Sequence, residues 1–163
     1  MSDLAEELKF SITLSATYWG DRNPEFYLTL DGENIAQHKF SYRPTNKGLP
    51  LTTEIDLSPD ALETFEFSHV LEPGDHVLGI KLFSKTDLDT RGFVDDKTWL
   101  KDVMLHVESI KIDDIDIKSL VFEQSKYVLA TGEILTNTNT LHKNGEYQLY
   151  FTTPIYMWFL EHL

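Results

Sequence analysis

The feature that most constrains the fold of this chain is a repeated alternation of apolar and polar residues with a period of two. In the first such stretch, polar residues separate the apolar residues Phe10, Ile12, Leu14, Ala16 and Tyr18. Successive side chains of a strand point to opposite faces of a sheet, whereas an amphipathic helix repeats every three or four residues. The sequence therefore predicts an all-β fold, an antiparallel β-sandwich of the jelly-roll type with eight or more short strands.

Further strands are predicted wherever the alternation returns. They cover Phe26 to Leu30, Ile35 to Tyr42, Phe65 to Leu71, Leu78 to Leu82, Val103 to Ile112, Tyr127 to Leu135 and Tyr147 to Phe151. The chain around Leu51 to Leu57 contains several prolines, and it is predicted to be mainly a loop because proline cannot donate a hydrogen bond to a ladder. One short strand, at Leu51 to Leu57, is predicted inside this loop.

Local sequence also predicts turns and one irregularity. Asp31-Gly32 and Asp113-Asp114 favour tight turns, and Glu72-Pro73-Gly74-Asp75 predicts a hairpin between the strands on either side of it. Apolar residues change parity near Glu108-Ser109, and a one-residue shift in parity exchanges the two faces of a strand. We therefore expect a β-bulge there.

The last ten residues differ from the rest of the chain. After Pro154, an almost unbroken apolar run predicts a short helix or an apolar tail that must be buried somewhere. It serves either as a lid on its own sandwich or as a docking segment for another subunit, with Ile155, Tyr156, Trp158, Phe159 and Leu160 as the contact residues. The domain prediction is a β-sandwich over residues 1–153 and this segment over 154–163.

Composition narrows the possible functions. The formal charge of −13 would repel a phosphate backbone, so nucleic acid is not an expected partner. No apolar run is long enough to span a bilayer, and the acidic N-terminus does not resemble a secretion signal, so neither membrane insertion nor export by such a signal is expected. The absence of cysteine excludes disulfides, thiolate nucleophiles and cysteine-ligated zinc.

Catalytic motifs are also lacking. The six histidines are dispersed without zinc-ligand spacing, and no serine lies in a G-x-S-x-G elbow. A pair of carboxylates such as glycosidases use is a spatial arrangement that sequence does not show. We predict a protein that is not an enzyme.

An acidic tract between two strand-like segments is the strongest indication of binding. Several aspartates between Ser84 and Ile117 could supply oxygen ligands to Ca²⁺, or could form a solvated loop in an acidic protein. Phe93 and Trp99 flank this cluster, and aromatic rings in such loops either stack on sugars or pack against protein. These two residues are the predicted glycan-binding pair, with Trp99 favoured.

The middle half of the chain resembles the calcium-dependent xylan-binding carbohydrate-binding modules. The shared features are the DG turn at Asp31-Gly32, the strand pattern that begins at Gly74-Asp75-His76, the acidic loop, and a D-x-x-L-x-V-x-x-I strand that begins at Asp102. The resemblance implies a calcium site that uses Asp87 and Asp102, with Asp89 as a third candidate. Where the family has Asn-Asp after the hairpin strand, this chain has Lys85-Thr86.

A second, looser resemblance is to virion-associated structural proteins of large tailed phages that infect marine bacteria, such as cyanophages. It is carried by the F-x-K-T-D-x-D-T loop, the D-D-I-D-I turn and the ending N-G-E-Y-x-L-x-F-x-T-P-I-Y-M-W-F-L-E. This resemblance implies a virion structural, decoration or tail-attachment protein, assembled in the host cytoplasm with other protein subunits as an oligomer. The alternatives are a calcium-dependent, lectin-like module that binds polysaccharide and an accessory domain of a carbohydrate-active enzyme.

Overall fold

The computed structural model describes residues 4–17, 24–40, 62–85 and 104–163, together with the backbone of 91–93 and 99–101. The predicted strand at Leu51 to Leu57 lies outside these residues. The strands are β1 (Glu6–Thr17), β2 (Glu25–Leu30), β3 (Glu33–Lys39), β4 (Glu63–Leu71), β5 (Gly74–Leu82), β6 (Arg91–Phe93), β7 (Trp99–Lys101), β8 (Met104–Ile112), β9 (Ile115–Asp116), β10 (Ser125–Leu129), β11 (Ile134–Thr136), β12 (Thr140–Leu141) and β13 (Gly145–Thr153). The helices are α1 (Leu120–Glu123) and α2 (Ile155–His162).

These strands form two large antiparallel sheets. The five-stranded sheet has the order β12-β8-β1-β4, with β9 beside β8, and the six-stranded sheet has the order β11-β10-β13-β5-β2-β3. Strands β6 and β7 form a separate two-stranded ribbon. The predicted all-β sandwich with a short C-terminal helix is therefore confirmed.

The core lies between the two sheets and follows the alternation of the sequence. Phe10, Ile12 and Leu14 on β1 are buried on one side, and Leu28, Ile80 and their neighbours are buried on the other. The Phe10 ring stacks on Phe67 of the same sheet at 5.0 Å between centroids and meets Phe151 of the opposite sheet at 5.8 Å. This ring therefore joins the two layers.

Both predicted two-residue turns are confirmed, and each has two residues with positive φ. Asp31 and Gly32 have φ of 51° and 85°, and Asp113 and Asp114 have φ of 51° and 65°. Such values suit the tight turns whose twist matches that of paired strands. The second turn pairs Ile112 with Ile115.

The predicted bulge is also present. On β8, Ser109 pairs with Thr13 and Val107 pairs with Leu14, so Glu108 has no partner of its own in the ladder. The Ser15 hydroxyl donates to Glu108 Oε1 at 2.6 Å. The extra residue restores the buried face after the change of parity.

The predicted hairpin around residues 72–75 is wrong. Strand β4 pairs with β1 in the five-stranded sheet, whereas β5 pairs with β2 and β13 in the other sheet. The turn therefore carries the chain across the sandwich, because each strand packs its apolar face against the other layer instead of pairing edge to edge. His76 supports this corner, with Nδ1 2.7 Å from Asp31 Oδ2 and Nε2 2.6 Å from the carbonyl oxygen of Glu72.

The predicted strand from Tyr127 to Leu135 is in fact a hairpin of β10 and β11. Gly132 has a φ of 95°, and the Leu129 N–H donates to the carbonyl oxygen of Glu133 at 2.8 Å. The alternation continues through the turn, which is why the pattern reads as one strand. The chain between β11 and β13 contains the short strand β12.

Removal of the Phe10 ring is expected to destabilise the sandwich strongly. A Phe10→Ala variant leaves a cavity between both sheets and should lower the free energy of unfolding by about 3–5 kcal/mol. Urea denaturation monitored by fluorescence measures this change. The matched control is Thr13→Ala on the outer face of the same strand, which should cost far less. Equal losses in both variants would contradict the central role of Phe10.

Candidate functional site

Several strands of both sheets begin or end at one end of the sandwich, including those before and after the segment that contains Phe93 and Trp99. In the six-stranded sheet, Glu25 at the start of β2 pairs with Lys39 at the end of β3. Leu82 at the end of β5 pairs with Gly145 at the start of β13. Because Phe26 also pairs with Leu82, these four strand ends lie side by side.

The five-stranded sheet ends at the same place. Thr17 at the end of β1 pairs with Met104 at the start of β8, and Leu105 of β8 pairs with Leu141 of β12. Only residues 142–144 separate β12 in one sheet from β13 in the other. This end of the sandwich, where β1, β3 and β5 end and β2, β8 and β13 begin, is called the loop end below.

Lys85 connects the end of β5 to residues 142–144 at the loop end through hydrogen bonds. Its backbone N–H donates to Asn144 Oδ1 at 2.9 Å, and Asn144 Nδ2 donates back to its carbonyl oxygen at 2.7 Å. The Lys85 ammonium donates to the carbonyl oxygen of His142. Lys85 therefore ties the end of β5 to the connection between the two sheets.

The two predicted glycan-binding aromatics occupy opposite positions in the β6–β7 ribbon. The register pairs Phe93 with Trp99 and Arg91 with Lys101. Only residues 102 and 103 separate Lys101 from Met104 at the loop end, a connection of at most about 11 Å. The ribbon is therefore held close to the loop end.

The predicted calcium ligands Asp87, Asp89 and Asp102 lie outside the described residues. Their neighbours Lys85 and Met104 both belong to the loop end, on the two sheets respectively. Among the residues that the structure describes, no three His, Cys, Asp or Glu side chains are grouped to hold a metal ion. The calcium site stays a prediction.

The opposite end of the sandwich is covered by α2. Ile155, Trp158 and Phe159 are buried, and the Trp158 ring meets Phe151 edge-on at 6.5 Å. The Ile155 N–H donates to Glu6 Oε1 at 2.7 Å. Of the five predicted docking residues, these three contact their own domain, as a lid would.

The other two predicted docking residues face outward. Tyr156 is 66% exposed and Leu160 is 80% exposed, and Met157 lies beside them at 55%.

Neither α1 nor α2 is long and apolar enough to cross a membrane in the part of the chain that is described.

Sequence reasoning missed the contribution of residues 142–144 to the loop end. Asn144-Gly145 is a turn dipeptide directly before an alternating segment, and that signal could have marked the corner. Which backbone the Asn144 amide would bind depends on a contact 59 residues away in sequence. Local patterns carry no such information.

The chain matches no family model and no curated protein. Two similar solved structures are of vCBM60. One is in complex with galactobiose, with 10% identity, a TM-score of 0.46, and coverage of 86% of this chain and 96% of that one. The other is a selenomethionine form, described with a circular permutation that links two families of calcium-dependent carbohydrate-binding modules. Its identity is 11%, its TM-score is 0.47, and the match covers 87% of this chain and 89% of that one. These are similarities of the β-sandwich fold.

Acid is expected to lower the free energy of unfolding through His106, which lies on β8 at the loop end. Burial lowers the pKa of this imidazole from 6.5, and the charge of Glu108 only partly opposes the shift. The unfolded chain therefore takes up the proton first, so the free energy of unfolding falls as pH drops below about 6.5. Urea denaturation between pH 7 and pH 5 should show a shallower fall for His106→Gln than for the parent.

The control for this pH dependence is His69→Gln, because His69 is exposed on β4. Its profile should follow that of the parent protein. A His106→Gln profile that also follows the parent would contradict the assignment to His106.

Proposed function

We propose that the protein is a non-catalytic carbohydrate-binding module that binds its ligand at the loop end with the help of Ca²⁺. The observation that supports this is the convergence of strand ends from both sheets at one place. It brings the flanks of the acidic segments and the ribbon that carries Phe93 and Trp99 to the same end of the molecule.

The residue types at this end suit a sugar better than other ligands. Aromatic faces pack against the CH groups of a sugar ring, and carboxylates accept hydrogen bonds from its hydroxyls. A Ca²⁺ ion that takes six to eight oxygen ligands can share them between aspartates and hydroxyls. Asp87, Asp89 and Asp102 would supply the protein ligands. The same binding would serve an accessory domain of a carbohydrate-active enzyme.

Replacement of Trp99 is expected to weaken glycan binding without unfolding the domain. Titration calorimetry with xylo- and galacto-oligosaccharides in the presence of Ca²⁺ should show at least a tenfold loss of affinity for Trp99→Ala. The same loss should follow when a chelator removes Ca²⁺ from the parent protein. Tyr156→Ala is the matched control, because it removes an exposed aromatic at the opposite end.

Calcium should also raise the thermal stability of the parent protein. Binding to the folded state alone adds about 2.7 kcal/mol when the ion is at a hundredfold excess over its dissociation constant. An unchanged melting temperature with Ca²⁺ and with chelator, together with no heat from any oligosaccharide, would contradict the proposal.

A second candidate function is assembly into a larger particle through α2. Its support is the exposed apolar surface of Tyr156, Met157 and Leu160, whose helix is already anchored by buried residues. A virion role, virion localisation and an oligomeric state remain predictions. The partner proposed for this surface is another protein subunit of such a particle.

Surface substitutions test this role better than deletion of the helix, which would uncover Phe151. Tyr156→Ser combined with Leu160→Ser should leave the melting temperature nearly unchanged and lower the oligomeric state measured by analytical ultracentrifugation. The control is Glu161→Gln on the same helix. A parent protein that is monomeric at all concentrations would contradict self-assembly through this surface.

A further inference from the structure

The outer face of the six-stranded sheet carries a second set of polar and aromatic side chains, at the positions that alternate with the core. Leu28, Ile80 and Leu149 point inward and are buried. The sheet face, as it is called below, consists of Tyr27, Thr29, Gly79, Lys81, Phe83, Lys126, Glu146, Gln148 and Tyr150. It lies outside the sandwich core, and its Tyr27–Phe83 end borders the loop end.

A continuous chain of side-chain hydrogen bonds crosses this face. The Thr29 hydroxyl donates to Glu146 Oε2 at 3.3 Å, and Gln148 Nε2 donates to Glu146 Oε1 at 2.8 Å. The Tyr150 hydroxyl then donates to Gln148 Oε1 at 2.6 Å. The chain links strands β2 and β13 across the strand that separates them.

Gly79 on the intervening strand β5 makes this crossing possible. A Cβ atom on Gly79 would lie 2.0 Å from Thr29 Oγ1 and 3.0 Å from Glu146 Cδ. With no side chain there, the Glu146 carboxylate lies over the backbone of β5 and reaches the hydroxyl on the far side. The result is a flat polar strip in the middle of a sheet.

Aromatic rings stand at both ends of the strip. Tyr27 and Phe83 stack with ring centroids 4.6 Å apart, and Tyr150 lies at the other end with the Lys126 ammonium 5.3 Å from its ring centre. Tyr27 pairs with Lys81, and Lys81 pairs with Glu146 two strands away from Tyr27. Tyr150 lies four residues further along the strand of Glu146, so Tyr27 and Tyr150 are about 17 Å apart. That distance suits a short run of sugar units.

The groups of the strip retain hydrogen-bonding capacity for a ligand. A carboxylate has about four acceptor positions and a primary amide has two donor hydrogens, so two bonds to Glu146 and one from Gln148 Nε2 leave room for hydroxyl groups. The exposed ammonium groups of Lys81 and Lys126 offset the Glu146 charge, in a chain whose formal charge is −13. The face therefore favours a neutral, hydroxyl-rich ligand over a cationic one.

We propose that the sheet face binds an extended neutral polysaccharide chain, which stacks on Tyr27 and Tyr150 and hydrogen-bonds to Glu146 and Gln148. This site needs no metal, and it extends from the Tyr27–Phe83 pair beside the loop end across the sheet to Tyr150. It takes only the ligand class from the proposed function and adds a second surface for it.

The test is to map oligosaccharide binding on the full chain by NMR in the presence of chelator. The probes are hexasaccharides of β-linked xylose, glucose, mannose and galactose. At least one should shift the backbone amide of Gly79 and the side-chain amide of Gln148, while the amides of Leu105 and His106, at the loop end of the other sheet, stay unchanged. Tyr150→Ala should weaken this binding at least tenfold.

Two further variants keep the outcome interpretable. Gln148→Leu preserves the size of the side chain and should weaken binding as well, whereas Trp99→Ala should leave the chelator-insensitive binding intact. Shifts confined to Leu105 and His106, or a loss seen only with Trp99→Ala, would overturn the sheet-face site and leave the loop-end proposal standing. No shift with any hexasaccharide in chelator would also overturn it, whatever the loop end binds with Ca²⁺.

Discussion

Packing of the two sheets against each other is the interaction on which the rest of the molecule depends. The chain contains no cysteine, so no disulfide assists it. Phe10 contacts Phe67 in its own sheet and Phe151 in the other, and Phe151 in turn meets Trp158 of α2. The stability of the fold therefore depends mainly on the apolar side chains buried between the two sheets.

The two ends of the sandwich are stabilised by different contacts. At one end α2 covers the core, and His76 joins the Asp31 turn to the crossing between the sheets. At the other end, hydrogen bonds between Lys85 and Asn144 hold the end of β5 against the connection that leads to β13. The cover formed by α2 is one reason why the proposed function assigns ligand binding to the loop end.

Sequence patterns predicted the local features and missed those that depend on distant contacts. The turns at Asp31-Gly32 and Asp113-Asp114 and the bulge at Glu108 were predictable, because residue type and parity report directly on backbone geometry. The hairpin at residues 72–75 was wrong, since alternation looks the same for strands that pair and for strands that face each other across a core. In the candidate site, Phe93 and Trp99 are register partners, and their role in glycan binding stays a prediction. The contact of Lys85 with Asn144 was not predictable, because Asn144 is remote in sequence.

Gly79 shows how the sheet that supports the fold can also carry a continuous polar strip on its outer face. On its inner side β5 contributes Leu78 and Ile80 to the core, so the strand cannot move without cost. On its outer side the missing side chain lets Glu146 and Thr29 meet above the backbone. An alanine there would collide with the Thr29 hydroxyl, and the polar strip would separate into two halves. Glycine usually weakens a strand, and its place at the centre of this sheet is explained by the close approach of the two side chains that it allows.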